Sequence, residues 1–193
     1  MPEKTAQKEP GKKPVPSKKP KPQQEVVVQI SLSELHPFPD HPFQVREDAS
    51  MQETAESVKE YGVLVPALAR PREDGGYELI AGHRRKHACE LAGLATMPVI
   101  VRDIDRDAAT IIMVDSNLQR ENILPSERAK AYKMKMEAIK RQGARTDLTS
   151  PKISAKFRSD DEVGQDAGVS GDTIRNYIAL TQLVPELQQM VDE

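Results

Sequence analysis

The sequence has no tryptophan, one cysteine (Cys89), and only three Phe and four Tyr among 193 residues. A lone cysteine supports neither an internal disulfide framework nor a multi-cysteine zinc site, and it points to a reducing, cytoplasmic location. The scarcity of rings argues against aromatic sugar platforms and base-stacking sheets. No apolar run approaches the roughly 18 residues that span a bilayer, so no membrane role is expected. The N-terminal lysines are not followed by an apolar stretch, so a secretory signal is not expected either. Hydrophobic residues reach 37%, below the roughly 45–50% of ordinary globular domains.

What the chain does have is charge, unevenly placed. It holds 28 Lys+Arg against 30 Asp+Glu, a net −2. Residues 1–24 carry seven Lys and two Glu, or +5, and the remaining 169 residues carry 21 basic and 28 acidic groups, or −7. Six of the 15 prolines fall in the first 22 residues. Residues 1–24 therefore read as a disordered, basic, Pro-rich tail. Such a tail either keeps the protein soluble or reaches an acidic partner such as nucleic acid.

Order begins with the β-branched run at 26–30, a strand. His36-Pro37-Phe38-Pro39 and His41-Pro42 force an extended, turning segment, because residues before proline avoid the helical region. A helix follows, with Ser50 and Glu53 as a capping box, Met51, Ala55 and Val58 on one face, and Gly62 as its C-cap. Residues 64–70 read as a strand. Asp74-Gly75-Gly76 is a turn, and 77–80 alternate polar and apolar as the second strand of a hairpin. Gly82 opens a helix over 83–92, closed by Gly93. Residues 97–101 are a strand, and Asp103 starts a helix that packs with Ala108, Ile111, Ile112 and Val114. Pro125 begins a long helix carrying Ala129, Tyr132, Met136 and Ile139 at helical spacing. The pattern is α+β: a small mixed α/β domain over 25–122, then an all-helical domain over 123–193.

Three groups of residues carry chemistry. Gly82-His83-Arg84-Arg85 sits at a strand-to-helix junction, where free N–H groups and two fixed guanidinium forks suit a phosphate. Two surface arginines on an ordinary helix are the plainer reading. His83 and His87 have metal-ligand spacing but lack a third ligand, and Cys89 reads as a small buried residue. The stretch 115–122 is polar and falls between two helices, as a solvated connection would. Residues 159–180 read as a helix–turn–helix, with a break at Gly168-Val169 and Ser170 capping the second helix. Thr173, Arg175 and Asn176 are placed to read bases or phosphates. From 159 to 193, however, one basic residue, Arg175, faces eight acids. Backbone affinity would come from the basic stretch 140–158, which includes Lys152, Lys156 and Arg158. A helical hairpin used for protein packing is the alternative.

The order of these motifs resembles the ParB family of chromosome and plasmid partition proteins. The matching segments are Phe43-Gln44 with Arg46, the run 62–70 that includes Pro66 and Arg70, Gly82-His83-Arg84-Arg85, and Ser116-Asn117-Leu118-Gln119-Arg120-Glu121. The resemblance implies a ParB-type nucleotide-binding domain followed by a helix–turn–helix domain, with CTP and Mg2+ as cofactors. It places Phe43, Gln44 and Arg46 beside the base, and Pro66 and Arg70 at the pocket wall. Gly82, His83, Arg84 and Arg85 would lie at the phosphates, and Ser116, Asn117 and Arg120 at the nucleotide's far end. Mg2+ would be held through the nucleotide, with Asn117 near. Ser170, Thr173, Arg175, Asn176, Lys152, Lys156 and Arg158 would meet a partition-site-like DNA sequence. It further implies a homodimer clamp, joined by N-domain engagement and by a C-terminal region that lies beyond this chain. A ParA-type ATPase would be reached through the N-terminal tail. The setting would be cytoplasmic and nucleoid-associated, in a bacterium.

The departures are specific. His83 and Ser116 each stand where the family has Glu, and the second of these is tied to metal and hydrolysis, so CTP hydrolysis is expected to be weak or absent. His83, neutral or protonated, would face a phosphate. A sulfiredoxin-like activity is excluded because Gly82 occupies the position of the required cysteine. A kinase or nuclease on the same fold, and a transcription regulator or adaptor without nucleotide switching, are the competing readings.

Overall fold

The computed structural model describes residues 25–120, 122–146 and 159–193. Strands β1 (Val27–Ser31), β2 (Leu35–Pro37), β3 (Ala67–Pro71), β4 (Tyr77–Ala81) and β5 (Thr96–Val101) form one mixed sheet in the order β1-β5-β3-β4-β2. The β1–β5 and β3–β4 pairs are antiparallel, and the β3–β5 and β2–β4 pairs are parallel. Helices α1 (Ala49–Tyr61), α2 (His83–Leu91), α3 (Arg106–Leu118) and α4 (Pro125–Thr146) follow the strands in the chain or alternate with them. Helices α5 (Ser159–Ala167), α6 (Gly171–Leu180) and α7 (Pro185–Asp192) come last.

The sheet is covered on both faces, and adjacent residues of β4 show it. Leu79 lies in a core with Met51, Val58, Ala88, Cys89 and Met97, under α1 and α2. Ile80 lies in a second core with Phe38, Phe43, Ala109, Met113 and Val114, under α3. Successive strand residues point to opposite faces, so a doubly covered strand buries every one. The expected polar–apolar alternation at 77–80 therefore fails at Glu78, which is 5% exposed and hydrogen-bonded to Arg70 at 2.5 Å. Each fully buried Met or Leu contributes about 1.5–3 kcal/mol of transfer free energy.

Helix α4 serves two cores. Ala131 packs beneath the sheet, and its neighbour Tyr132 joins Val163 and Ile174 in a third core formed with α5 and α6. Gly168, at φ +70°, breaks the chain between α5 and α6, and the Val169 N–H donates to the Gly164 carbonyl at 2.9 Å. Ser170 caps α6 by accepting from the Thr173 N–H at 3.1 Å, as expected.

Several boundaries differ from the expectations. Asp48, not Ser50, caps α1 by accepting from the Met51 N–H at 2.8 Å. A carboxylate two residues earlier reaches the same first-turn donors. Asp105, not Asp103, caps α3. The strand expected at 64–70 runs Ala67–Pro71, and Leu64 and Val65 are exposed. Residues 115–118 are the last turn of α3 rather than a solvated connection.

Candidate functional site

Strand β4 delivers the chain to Gly82, whose φ of +112° turns it directly into α2. A Cβ at Gly82 would lie 2.8 Å from the Ala67 Cβ, so only glycine lets α2 start this close to β3. The first-turn N–H groups of α2 have no intrahelical acceptor and leave a donor-rich end.

The two adjacent arginines of α2 do different work. Arg84 reaches the start of α1, with NH2 3.1 Å from Ser50 Oγ and 3.8 Å from Asp48 Oδ1. Arg85 turns to the strand entry and donates through NH1 to the carbonyls of Val65 (2.5 Å) and Pro66 (2.6 Å). Its guanidinium is thus committed to the backbone before β3, and burial lowers its pKa. Arg120, just beyond α3, has its pKa lowered by burial and by the nearby charge of Arg84. No ion-pair partner for Arg120 lies among the described residues. Arg84 and Arg120 therefore bring like charge together, offset in part by Asp48 beside Arg84 and by the charge of Glu127 on Arg120, and the pair suits a polyanion.

His83 is placed beside His41, with ring centroids 4.0 Å apart. Burial, aided by the charges of His41, Arg120 and Lys86, holds the His83 pKa at about 3. The imidazole is neutral, the first of the two forms the sequence reading allowed. The Nε2 atoms of both rings are buried and have no hydrogen-bond partner among the described residues. His41 Nδ1 lies 2.7 Å from the Phe43 carbonyl. That oxygen can only accept, so Nδ1 carries the proton and Nε2 a lone pair. Sequence reading passed over His41, which lies in a Pro-rich turn with no periodicity to mark it.

The remaining expected residues fall in several places. The Phe43 side chain is buried in the second core. Gln44 and Arg46 are exposed, and the Gln44 N–H donates to Glu127 Oε1 at 3.0 Å. Glu127, in the first turn of α4, also accepts from the Leu124 N–H at 3.4 Å, and so ties the 43–44 segment to α4. Asn117 is 3% exposed and donates Nδ2 to the Met113 carbonyl at 2.8 Å. The Ser116 hydroxyl donates to the same carbonyl at 2.9 Å. Arg70 lies at the other end of β3 from Pro66, with NH1 3.5 Å from the Ile104 carbonyl. It lines a separate cleft of about 770 Å³ with Arg72, Glu78, Asp103 and Arg106. No described contact joins it to Arg84 or Arg85.

On the second helical pair, Arg175 is bound to Asp160 and Asp172. Ser170 Oγ and Thr173 Oγ1 lie 2.9 Å apart, and Asn176 is exposed. Lys152, Lys156 and Arg158 lie outside the described residues, as does the tail. Among the described residues no group of three or more His, Cys, Asp or Glu side chains could hold a metal, and no helix is long and apolar enough to cross a membrane.

A doubly covered mixed sheet with a Gly-His-Arg-Arg helix start, followed by a helical extension, defines a class of protein. The family described as the ParB N-terminal domain matches residues 16–118. The chain belongs to this family. It is 35% identical over 167 residues to the chromosome-partitioning protein Spo0J of Thermus thermophilus, covering 86% of this chain and 55% of that protein. It is 32% identical over 170 residues to the stage 0 sporulation protein J of Bacillus subtilis, covering 88% and 54%. The chain thus spans about half the length of these relatives. A crystal structure of the C-terminally truncated partitioning protein ParB of Caulobacter crescentus, complexed to the centromeric parS site, is 27% identical. It has a TM-score of 0.54 and covers 84% of this chain and 75% of that one. The chain is therefore a member of the ParB N-terminal-domain family, and its first half has the mixed α/β fold of that domain.

Proposed function

We propose that this chain is a CTP-gated, sequence-specific DNA-binding protein that acts in DNA segregation by closing a dimer clamp at a partition site. The observation that carries the nucleotide part is the convergence of Arg84 and Arg120 on the donor-rich start of α2. Two guanidiniums with incomplete charge compensation, beside free backbone N–H groups, match a polyphosphate. In this reading Arg84 and Arg120 hold phosphate oxygens, and Gly82 gives the backbone close access. Arg85 holds the 65–66 wall in place. Mg2+, when bound, would neutralise phosphate charge. The described residues supply no acidic cage for it, so its protein neighbours would be Ser116 and the amide oxygen of Asn117. Ser116 donates its proton to a carbonyl and offers no carboxylate base, which supports binding without efficient hydrolysis.

The DNA part rests on family membership and on the α5–turn–α6 unit, read as a helix–turn–helix over 159–180. Arg175 fastens α6 to α5 through Asp160, which leaves Asn176 as an exposed polar reader on α6. Lys152, Lys156 and Arg158 would supply the phosphate contacts that the acidic helices lack. Dimer closure, a ParA-type ATPase partner for the tail, and nucleoid association follow from the same reading. An adaptor without a DNA site is the second reading, favoured by Arg175 being tied to two acids in an already acidic unit.

The test is calorimetry with each of the four NTPs plus Mg2+, with and without duplexes selected from a random-sequence pool. CTP-preferential binding that strengthens with the selected duplex is the expected result. Binding of no nucleotide overturns the gating, and a pool that yields no enriched sequence turns the reading to the adaptor.

A further inference from the structure

Helix α4 carries a lysine in the position of a core residue. Lys135 is 1% exposed. Its Nζ lies 2.7 Å from Asp115 Oδ1 and 2.9 Å from Asp166 Oδ2. The two acids belong to different parts of the molecule. Asp115 lies on α3, immediately before Ser116 and Asn117. Asp166 lies in the last turn of α5, just before the break that leads to α6.

An apolar residue at this spot would be at least as stabilising, because burying an ion pair costs desolvation that the attraction offsets only in part. The lysine is therefore better explained by what it connects. Burial alone would lower its pKa, but the hydrogen bonds and charges of Asp115 and Asp166 outweigh burial and raise it. The link stays charged at neutral pH. It is also directional: one ammonium holds both carboxylates only while α3 and α5 keep their present positions on α4. The carboxylates are 48% and 57% exposed, so one that lets go is rehydrated while the buried ammonium keeps the other. Leu118 adds an apolar contact to the third core, but such contact tolerates rotation.

We propose that Lys135 is a positioning residue that transmits nucleotide occupancy at the α3 motif to the α5–α6 unit, by holding Asp115 and Asp166 on one ammonium. This rests on the nucleotide reading above. A shift of the last turn of α3 around Asn117 moves Asp115, and the lysine then pulls on or releases Asp166. Both ends bias one two-state contact, which is the physical requirement for coupling.

The experiment is hydrogen exchange on the full chain, with Mg·CTP as the probe. In the wild type, CTP slows exchange at 113–118 and changes it at 159–167. In Asp166→Asn the slowing at 113–118 remains, while the change at 159–167 is largely lost. Asp166→Glu restores it. A merely structural role would not separate the two segments in this way. In Asp166→Asn the buried ammonium keeps Asp115 and an amide oxygen to donate to, so the fold should survive with a lowered urea midpoint. Lys135→Met, read the same way, checks the link from its centre. An Asp166→Asn protein that transmits the change undiminished overturns the proposal. So does a wild type in which CTP alters 113–118 but not 159–167, and in that case the nucleotide reading survives. Absence of any CTP binding removes the nucleotide reading and this proposal together.

Discussion

At positions 84 and 85 two identical side chains, one residue apart, are turned to different tasks by a rotation of 100° along a helix. Arg84 faces the α1 start and the charge of Arg120, and Arg85 faces the carbonyls of Val65 and Pro66. Arg84→Ala should weaken CTP binding by about ten- to a hundredfold, the loss of one charge-assisted contact, while the urea midpoint hardly moves. Arg85→Ala should instead destabilise the fold by about 0.5–1.5 kcal/mol, because the exposed Val65 and half-buried Pro66 carbonyls lose a charged donor that water replaces only in part. Calorimetry and urea titration on the pair decide this, and the reverse pattern would exchange their assignments. His83 makes a separate claim. Its pKa is about 3 in the folded chain against 6.5 as a free group. The unfolded chain therefore binds the extra proton first. The stability this neutral ring supports is complete above about pH 6.5 and falls as pH drops toward 3. Urea midpoints at pH 7 and pH 5 should differ more for the wild type than for His83→Gln. Equal differences would show that the ring is not held neutral.

Among the elements, the α5–α6 pair depends on close backbone approach. A Cβ on Gly164 would lie 2.6 Å from the Val169 carbonyl oxygen and 3.1 Å from the Gly171 nitrogen. These are backbone atoms of the turn itself and cannot swing aside. Gly164→Ala should cost about 1–3 kcal/mol as an overpacked contact. The loss should appear as faster hydrogen exchange in 159–180, with little change in β3 or β4. Nothing in the sequence around Gly164 marks it, since a glycine inside a helix reads as a weak point until the packed turn is seen. Gly62, Gly82 and Gly168 were legible because each follows or precedes a periodic segment, where a positive φ is the usual reason for glycine. The N-caps at Asp48 and Asp105 were read two residues late and two residues early. Several polar residues crowd each helix start, and only the fold selects which one reaches the N–H groups.

For the whole molecule, the question raised by a net charge of −2 is where DNA phosphates would be met. Residues 159–193 hold one basic residue, and it is already bound to Asp160 and Asp172. Replacing Lys152, Lys156 and Arg158 together with Ser should lower the slope of log affinity against log salt by up to about three, at roughly 0.9 per phosphate contact. An unchanged slope would move the contacts to the tail or to α4. The buried Lys135 belongs to this scale as well. From α4 it holds the last turns of α3 and α5 through Asp115 and Asp166, and so ties the mixed domain to the helical unit.

The sequence by itself determined the order of the helices and of every strand but β2, the helical second half, the Gly82 junction and the family. Those features rest on local periodicity, turn chemistry and motif spacing, which act over a few residues. Only the tertiary structure decided that Phe43 packs inside, that Arg85 and Arg175 are held by internal partners, and that His41 sits against His83. It alone brought Asp115 and Asp166 to one lysine, 20 and 31 residues from it along the chain. Each of these outcomes depends on which distant atoms fill the space around a side chain. A local pattern cannot contain that information, because a charged residue at helical spacing reads the same whether it faces water or two carboxylates.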